Sequence, residues 1–144
     1  MIKVRRRAEV SWQGTVEDGG GHIALGSGAF EGPYSLEARV ADSPQTNPEE
    51  LVGAGHAACF TMSLANLLGE AGHPATDLRT KAKVHLDQQE TGFSITRIEL
   101  SCVGDVPGVD DERFAALAAE AERTCPVSRA LAGTEIVVDA KLAG

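Results

Sequence analysis

The sequence predicts an α+β fold in a single domain spanning residues 1–144. Three observations point there. Short runs of strand character, broken by glycines, fill the first forty residues. One long apolar segment of helical character follows, from Pro48 to Glu70. Two strands, two helices and a last strand come after it, so the elements segregate and do not alternate as parallel α/β units would.

The elements can be justified in order. "AEVSWQGTV" and "EDGGGHIALGSGAFEGPYSLEARV" read as a meander of hairpins, with breaks at Gly19 to Gly21 and at Gly26 and Gly28. "SLEARV" reads as the last strand of this group. "ADSPQTNPEELVG" then starts the helix. Thr46 or Asn47 can cap it, Pro48 suits its first turn, and Glu49 and Glu50 favour the positive end of its dipole. From Val52 to Leu68 it carries no charge other than that of a protonated His56, so it is expected to be buried on most sides. Gly53, Gly55, Ala57 and Ala58 would let another element pack closely. "LRTKAKVHLDQQETGFSITRIELSCVGDV" reads as two strands with a turn near Glu90 to Gly92. "VDDERFAALAAEAERT" is a helix with its acids in the first turn, and "CPVSRALAG" is one more short helix. "TEIVVDAKL" alternates and ends the chain as a strand.

Bulk properties exclude several functions. A chain of 144 residues can bury a real core, and a 42% hydrophobic share is that of a globular protein, which argues against disorder. The net charge of -8 argues against nucleic acid and anionic membranes, which need clustered Lys and Arg. The one basic run, Lys3 to Arg7, reads as a solvated strand edge. No stretch of about 18 continuous apolar residues is present, so no membrane span is expected. The basic N-terminus has no apolar segment behind it, so no signal peptide is expected either. Three cysteines without regular spacing do not suggest a disulfide scaffold; a reducing cytoplasm is the expected compartment.

In such a compartment a cysteine is an inert core residue or a working thiol. Cys59 lies well inside the long helix, and an apolar setting raises a thiol pKa, so a reactive Cys59 needs a cation close by. It reads equally as a small core hydrophobe. Cys125 precedes Pro126 and is placed as the N-cap of the short helix, where backbone N–H groups lower a thiol pKa. It reads otherwise as a plain cap. Cys102, on a strand, reads as core. "CPVS" has the C-x-x-S form of thioredoxin-like motifs, but such a motif belongs after an early strand, not near the C-terminus. His22, His56, His73 and His85 are scattered, so neither a metal nor any other cofactor is expected.

The combination of "TNPEELVGAGHAACFTMSL" with a distant "CPVS" resembles the OsmC/Ohr family, the osmotically inducible protein C and organic hydroperoxide resistance proteins. The resemblance runs through "VSWQGTV", "SLEARV", "LLGEAGHPATDL", "GFSITRIELSCVGDVPGVD" and "EIVVDAKL", and "PEELVGAGHAACFTMSL" brings it closer to the osmotically inducible branch. It implies an intertwined α+β homodimer with antiparallel sheets, long buried central helices and active sites at the subunit interface. It implies a cysteine peroxidase for organic hydroperoxides and, less well, hydrogen peroxide. Cys59 matches the peroxidatic cysteine, Cys125 the resolving one and Glu49 the glutamate after Asn-Pro. Arg39 is the best match to the arginine that activates the thiolate. The implied reductant is a dithiol, as in lipoyl-bearing proteins. Glu49 and Cys59 are ten residues apart on one helix, about 15 Å of rise, so a site using both needs two chains or a break in the helix. Two rival readings remain: a non-catalytic dimeric binding domain with structural thiols, and a thiol–disulfide oxidoreductase using Cys125 alone.

Overall fold

A three-stranded sheet comes first. In the computed structural model, which describes residues 1–144, it is built from β1 (Ala8–Gln13), β2 (Gly20–Leu25) and β3 (Glu31–Tyr34). The strands follow one another antiparallel, as the glycine breaks predict. Gly21 sits in register between Trp12 and Tyr34, whose rings meet edge to face at 5.3 Å. A Cβ on Gly21 would lie 2.4 Å from the Tyr34 ring and 2.8 Å from the Trp12 ring, so the aromatic pair depends on the missing side chain. The basic run Lys3–Arg7 lies ahead of β1, exposed.

The segment after β3 departs from the sequence reading. "SLEARV" is not a strand but a short helix, α1 (Leu36–Val40). Ser35 caps it, its hydroxyl accepting from the Ala38 N–H. Leu, Glu, Ala and Arg are all good helix formers, and with a cap in place local preference outweighs the strand-like pattern.

The long helix, α2, covers Pro48–Glu70 as expected. Of the two candidate caps it uses Asn47, whose Oδ1 accepts the Glu50 N–H at 2.7 Å. The same side chain donates to the Ala38 carbonyl at 3.0 Å, tying the two helix ends together.

The chain divides into two compact units, Met1–Leu51 and Val52–Gly144, with the boundary inside α2. In the first unit Ile23 and Ala38 are the buried apolar side chains, while Ile2, Val4, Val10 and Phe30 are exposed.

The second unit holds the main core. β4 (Asp77–Gln89) and β5 (Gly92–Asp105) form the expected hairpin, with Gly92 at a φ of 117° in its turn. α3 (Asp111–Thr124) and α4 (Pro126–Ala130) lead to β6 (Glu135–Leu142). The β6 strand pairs parallel to β5, the one parallel pair in otherwise antiparallel sheets. The two helices supply the crossover that a parallel pair needs. Alternate residues Ile98, Leu100 and Cys102 of β5 pack with Phe60, Leu64 and Leu68 of α2 and with Phe114, Leu117, Ala118 and Ala121 of α3.

Helix α2 is not buried on most sides in the single chain. Gly53 faces β4, where a Cβ would meet Val84 at 3.1 Å, but Gly55 faces open space. Ala54, Ala58, Met62, Ala65 and Gly69 form an exposed stripe, with Met62 75% exposed. Against the sequence expectation, α2 is long and apolar enough to cross a membrane, with a mean hydropathy of 1.4 over 18 residues. Its opposite face, with Phe60, Leu64 and Leu68 fully buried, packs as a core helix does.

Candidate active site

Two elements of the second unit bring Cys59 and Cys125 together. Cys59 stands mid-helix on α2, half-buried. Cys125 closes α3 and caps α4, fully buried. The chain must turn sharply between these helices, and Pro126 suits the first position of α4 because the missing N–H is unpaired there anyway. The two thiols are free and near enough for each to perturb the other's titration. Cys102 is the third free cysteine; it is buried in the core, its thiol pushed up by burial, with Thr80 as its polar neighbour.

The pair is electrostatically unequal. Burial pushes the Cys59 thiol up, and the Cys125 sulphur beside it pushes further; the Val127 N–H and the Ser63 hydroxyl oppose this without reversing it. Burial also pushes on Cys125, but donors from Cys59, the Ser128 N–H, the Ser128 hydroxyl and the Val127 N–H outweigh it and bring that thiol below its ordinary value. The Ser128 N–H reaches the Cys125 sulphur at 3.4 Å.

Arg39 and Glu49 meet in the first unit. The Arg39 Nε and Nη2 donate to Glu49 at 2.9 and 2.7 Å, and both converge on Oε1. Glu49 is 7% exposed, and its Oε2 is buried without a partner. The side chains are positioned by the ends of α1 and α2, which Asn47 links. Arg39 also walls a cleft of about 250 Å³ lined by Trp12, Val16, Tyr34, Leu36 and Pro48.

Sequence reading missed two features. The cleft is one; the aromatic residues either side of Gly21 were its only trace. The other is His56. It is fully buried one turn before Cys59, and its Nε2 lies 2.7 Å from the Ser128 hydroxyl. Phe60, Met62 and Leu64, the apolar side chains near Cys59 on α2, divide. Phe60 and Leu64 are core, and Met62 points outward.

The chain is an α+β protein with free thiols on α2 and at the α3–α4 junction. The chain belongs to the OsmC-like protein family, whose model matches residues 41–141. It is 40% identical over 142 residues to a peroxiredoxin OsmC of Escherichia coli K12, covering 98% of this chain and 99% of that one. It is 29% identical to the organic hydroperoxide resistance protein OhrB of Bacillus subtilis 168, covering 85% and 87%. Among solved structures, an organic hydroperoxide resistance protein from Elizabethkingia anophelis superimposes with a TM-score of 0.79 at 27% identity, covering 99% of this chain and all of that one.

Proposed function

We propose that the chain is a two-cysteine peroxidase of stress defence that reduces organic hydroperoxides and, less efficiently, hydrogen peroxide. The placement of two free thiols, Cys59 on α2 and Cys125 at the neighbouring α3–α4 junction, carries the reading. The relatives named as a peroxiredoxin and as an organic hydroperoxide resistance protein agree with it. In the proposed cycle the Cys59 thiolate attacks the outer peroxide oxygen and the O–O bond breaks. The alkoxide leaves as an alcohol after taking a proton, and Cys59 becomes a sulfenic acid. Cys125 attacks that sulphur, forming the disulfide and releasing water. An external dithiol, as on a lipoyl-bearing protein, reopens the bridge by exchange.

Arg39 supplies the cation for Cys59 in this reading, and Glu49 holds the guanidinium. Both donors share Oε1, so the guanidinium is held on a single carboxylate oxygen. The apolar cleft beside Arg39 suits an organic tail. On the continuous helix, Glu49 and Cys59 are about 15 Å apart, so we propose that a second copy completes each site. The exposed apolar stripe on α2 supports a homodimer. Three free cysteines suit a reducing cytoplasm.

Free-thiol counting with intact mass, before and after one equivalent of cumene hydroperoxide, tests the reading. Loss of two thiols with a bridge mapped to Cys59 and Cys125 is expected. Unchanged thiols in the folded protein would favour structural cysteines in a non-catalytic binding domain.

A further inference from the structure

We infer that His56 and Ser128 are a buried positioning pair that holds a hydroxyl donor against the Cys125 sulphur, making Cys125 the poised nucleophile of the resolving step. This rests on the proposed peroxidase cycle and adds two residues to it.

The geometry is paired twice over. His56 precedes Cys59 by three residues on α2, and Ser128 follows Cys125 by three. His56 faces Ser128, and Cys59 stands one helical turn further along α2, as Cys125 stands one turn before Ser128. Both added residues are out of water: His56 is fully buried and Ser128 is 4% exposed. Their Nε2–Oγ distance is 2.7 Å.

The direction of that bond follows from the other ring nitrogen. His56 Nδ1 is buried with no partner. A neutral imidazole carries one N–H and one lone pair, and an orphaned buried N–H is the rarer and costlier of the two. The proton therefore sits on Nε2 and is donated to Ser128 Oγ. Burial holds His56 below its ordinary pKa, which keeps the ring neutral. With its oxygen accepting from His56, Ser128 has its own hydroxyl hydrogen free. The Cys125 sulphur, which accepts the Ser128 N–H at 3.4 Å and so lies beside that residue, is the acceptor this inference assigns to it. One serine thus offers two donors to one thiolate, and the histidine fixes the second. The other titratable groups nearby are Cys59, on α2, and Glu122, Arg123 and Arg129, which line a cleft reaching Ser128.

The step served is balanced within the site. The Cys125 thiolate attacks the Cys59 sulfenic sulphur, the S–S bond forms and the S–O bond breaks. Hydroxide leaves and takes a proton from solvent as water. Cys125 is oxidised and the sulfenic sulphur is reduced. The rate follows the thiolate fraction of Cys125.

The test separates the two chemical steps. Protein is mixed with one equivalent of cumene hydroperoxide and quenched at intervals. Dimedone-trapped sulfenic acid at Cys59 and the Cys59–Cys125 disulfide are quantified by peptide mass across a pH series. Ser128→Ala is expected to slow disulfide formation about tenfold, the effect of one hydrogen bond to a charged group. It should also move the pH profile of that step upward and let sulfenic acid accumulate. His56→Leu should act in the same direction, and Ser128→Thr and His56→Gln, which keep a donor, should restore the profile. Wild-type rate and profile in Ser128→Ala would overturn the inference. So would an equal slowing of both steps with an unmoved profile, the mark of a merely structural role. Failure of the wild-type protein to form any Cys59 sulfenic acid would instead bring down the peroxidase reading itself.

Discussion

Cys59, half-buried, and Cys125, fully buried, are unlike, and their substitutions should differ accordingly. Cys59→Ser is expected to abolish peroxide consumption. Cys125→Ser is expected to allow one turnover, then stall with Cys59 as sulfenic acid or overoxidised. Peroxide-consumption turnover assays with mass mapping of Cys59 would read both, and full multiple-turnover rate in both variants would refute the cycle. His56 carries a stability prediction. Its folded pKa lies below the ordinary 6.5, so the unfolded chain takes up a proton first as the pH falls. Its contribution is complete above 6.5 and is lost as pH falls from 6.5 through the folded value. Denaturant midpoints measured above and below 6.5 should show a drop at acid pH that His56→Gln reduces. The cysteines were legible in the sequence because their quoted blocks are local. The His56–Ser128 contact was not, since its two members are 72 residues apart and only the fold brings them together.

The helix ends position the candidate site residues, and they divide what sequence could and could not read. The bounds of α2 were readable because capping and first-turn residues are local chemistry. The choice of Asn47 over Thr46 was not, because Thr46 bonds the Glu50 carboxylate and leaves the cap to Asn47. The α1 segment was misread because five residues are too few to show a period, and its cap decided the matter. The crossover to β6 depends on tertiary packing of α3 and α4, which no strand pattern records. Asn47→Ala should cost about 1 kcal/mol for the lost cap. It also breaks the bond to Ala38, so catalysis should fall with stability if Arg39 and Glu49 need that tie. Gly104→Val tests the α3 packing. A Cβ there would lie 2.7 Å from the Phe114 ring. Overpacking of this kind costs about 1–3 kcal/mol, readable as a lower denaturant midpoint.

At the scale of the whole molecule, the single chain is unfinished in a specific way. One long helix presents small apolar residues to solvent along a full face, from Ala54 through Ala58 and Met62 to Gly69. Ile2, Val4, Val10 and Phe30 of the first unit are exposed as well. Surface of this kind is ordinarily covered by a partner. The proposed chemistry points to a partner too, because ten residues of helix, about 15 Å of rise, separate Glu49 from Cys59. Both arguments converge on a second copy of the chain, packed through α2. Light scattering should then give twice the 15.0 kDa chain mass. Ala58→Arg is the discriminating variant. In the isolated chain Ala58 is exposed, so the arginine should cost little. In a dimer packed on this stripe it would bury an unpaired charge, at a cost of about 3–5 kcal/mol, enough to dissociate it. Peroxide turnover should fall with dissociation, while Cys59 and Cys125 still react slowly as a bare dithiol. A variant that remains a dimer at full rate would move the interface off α2. A wild-type protein that is monomeric and fully active would mean that one chain completes the site, and that Glu49 acts with a thiol other than Cys59 or with none.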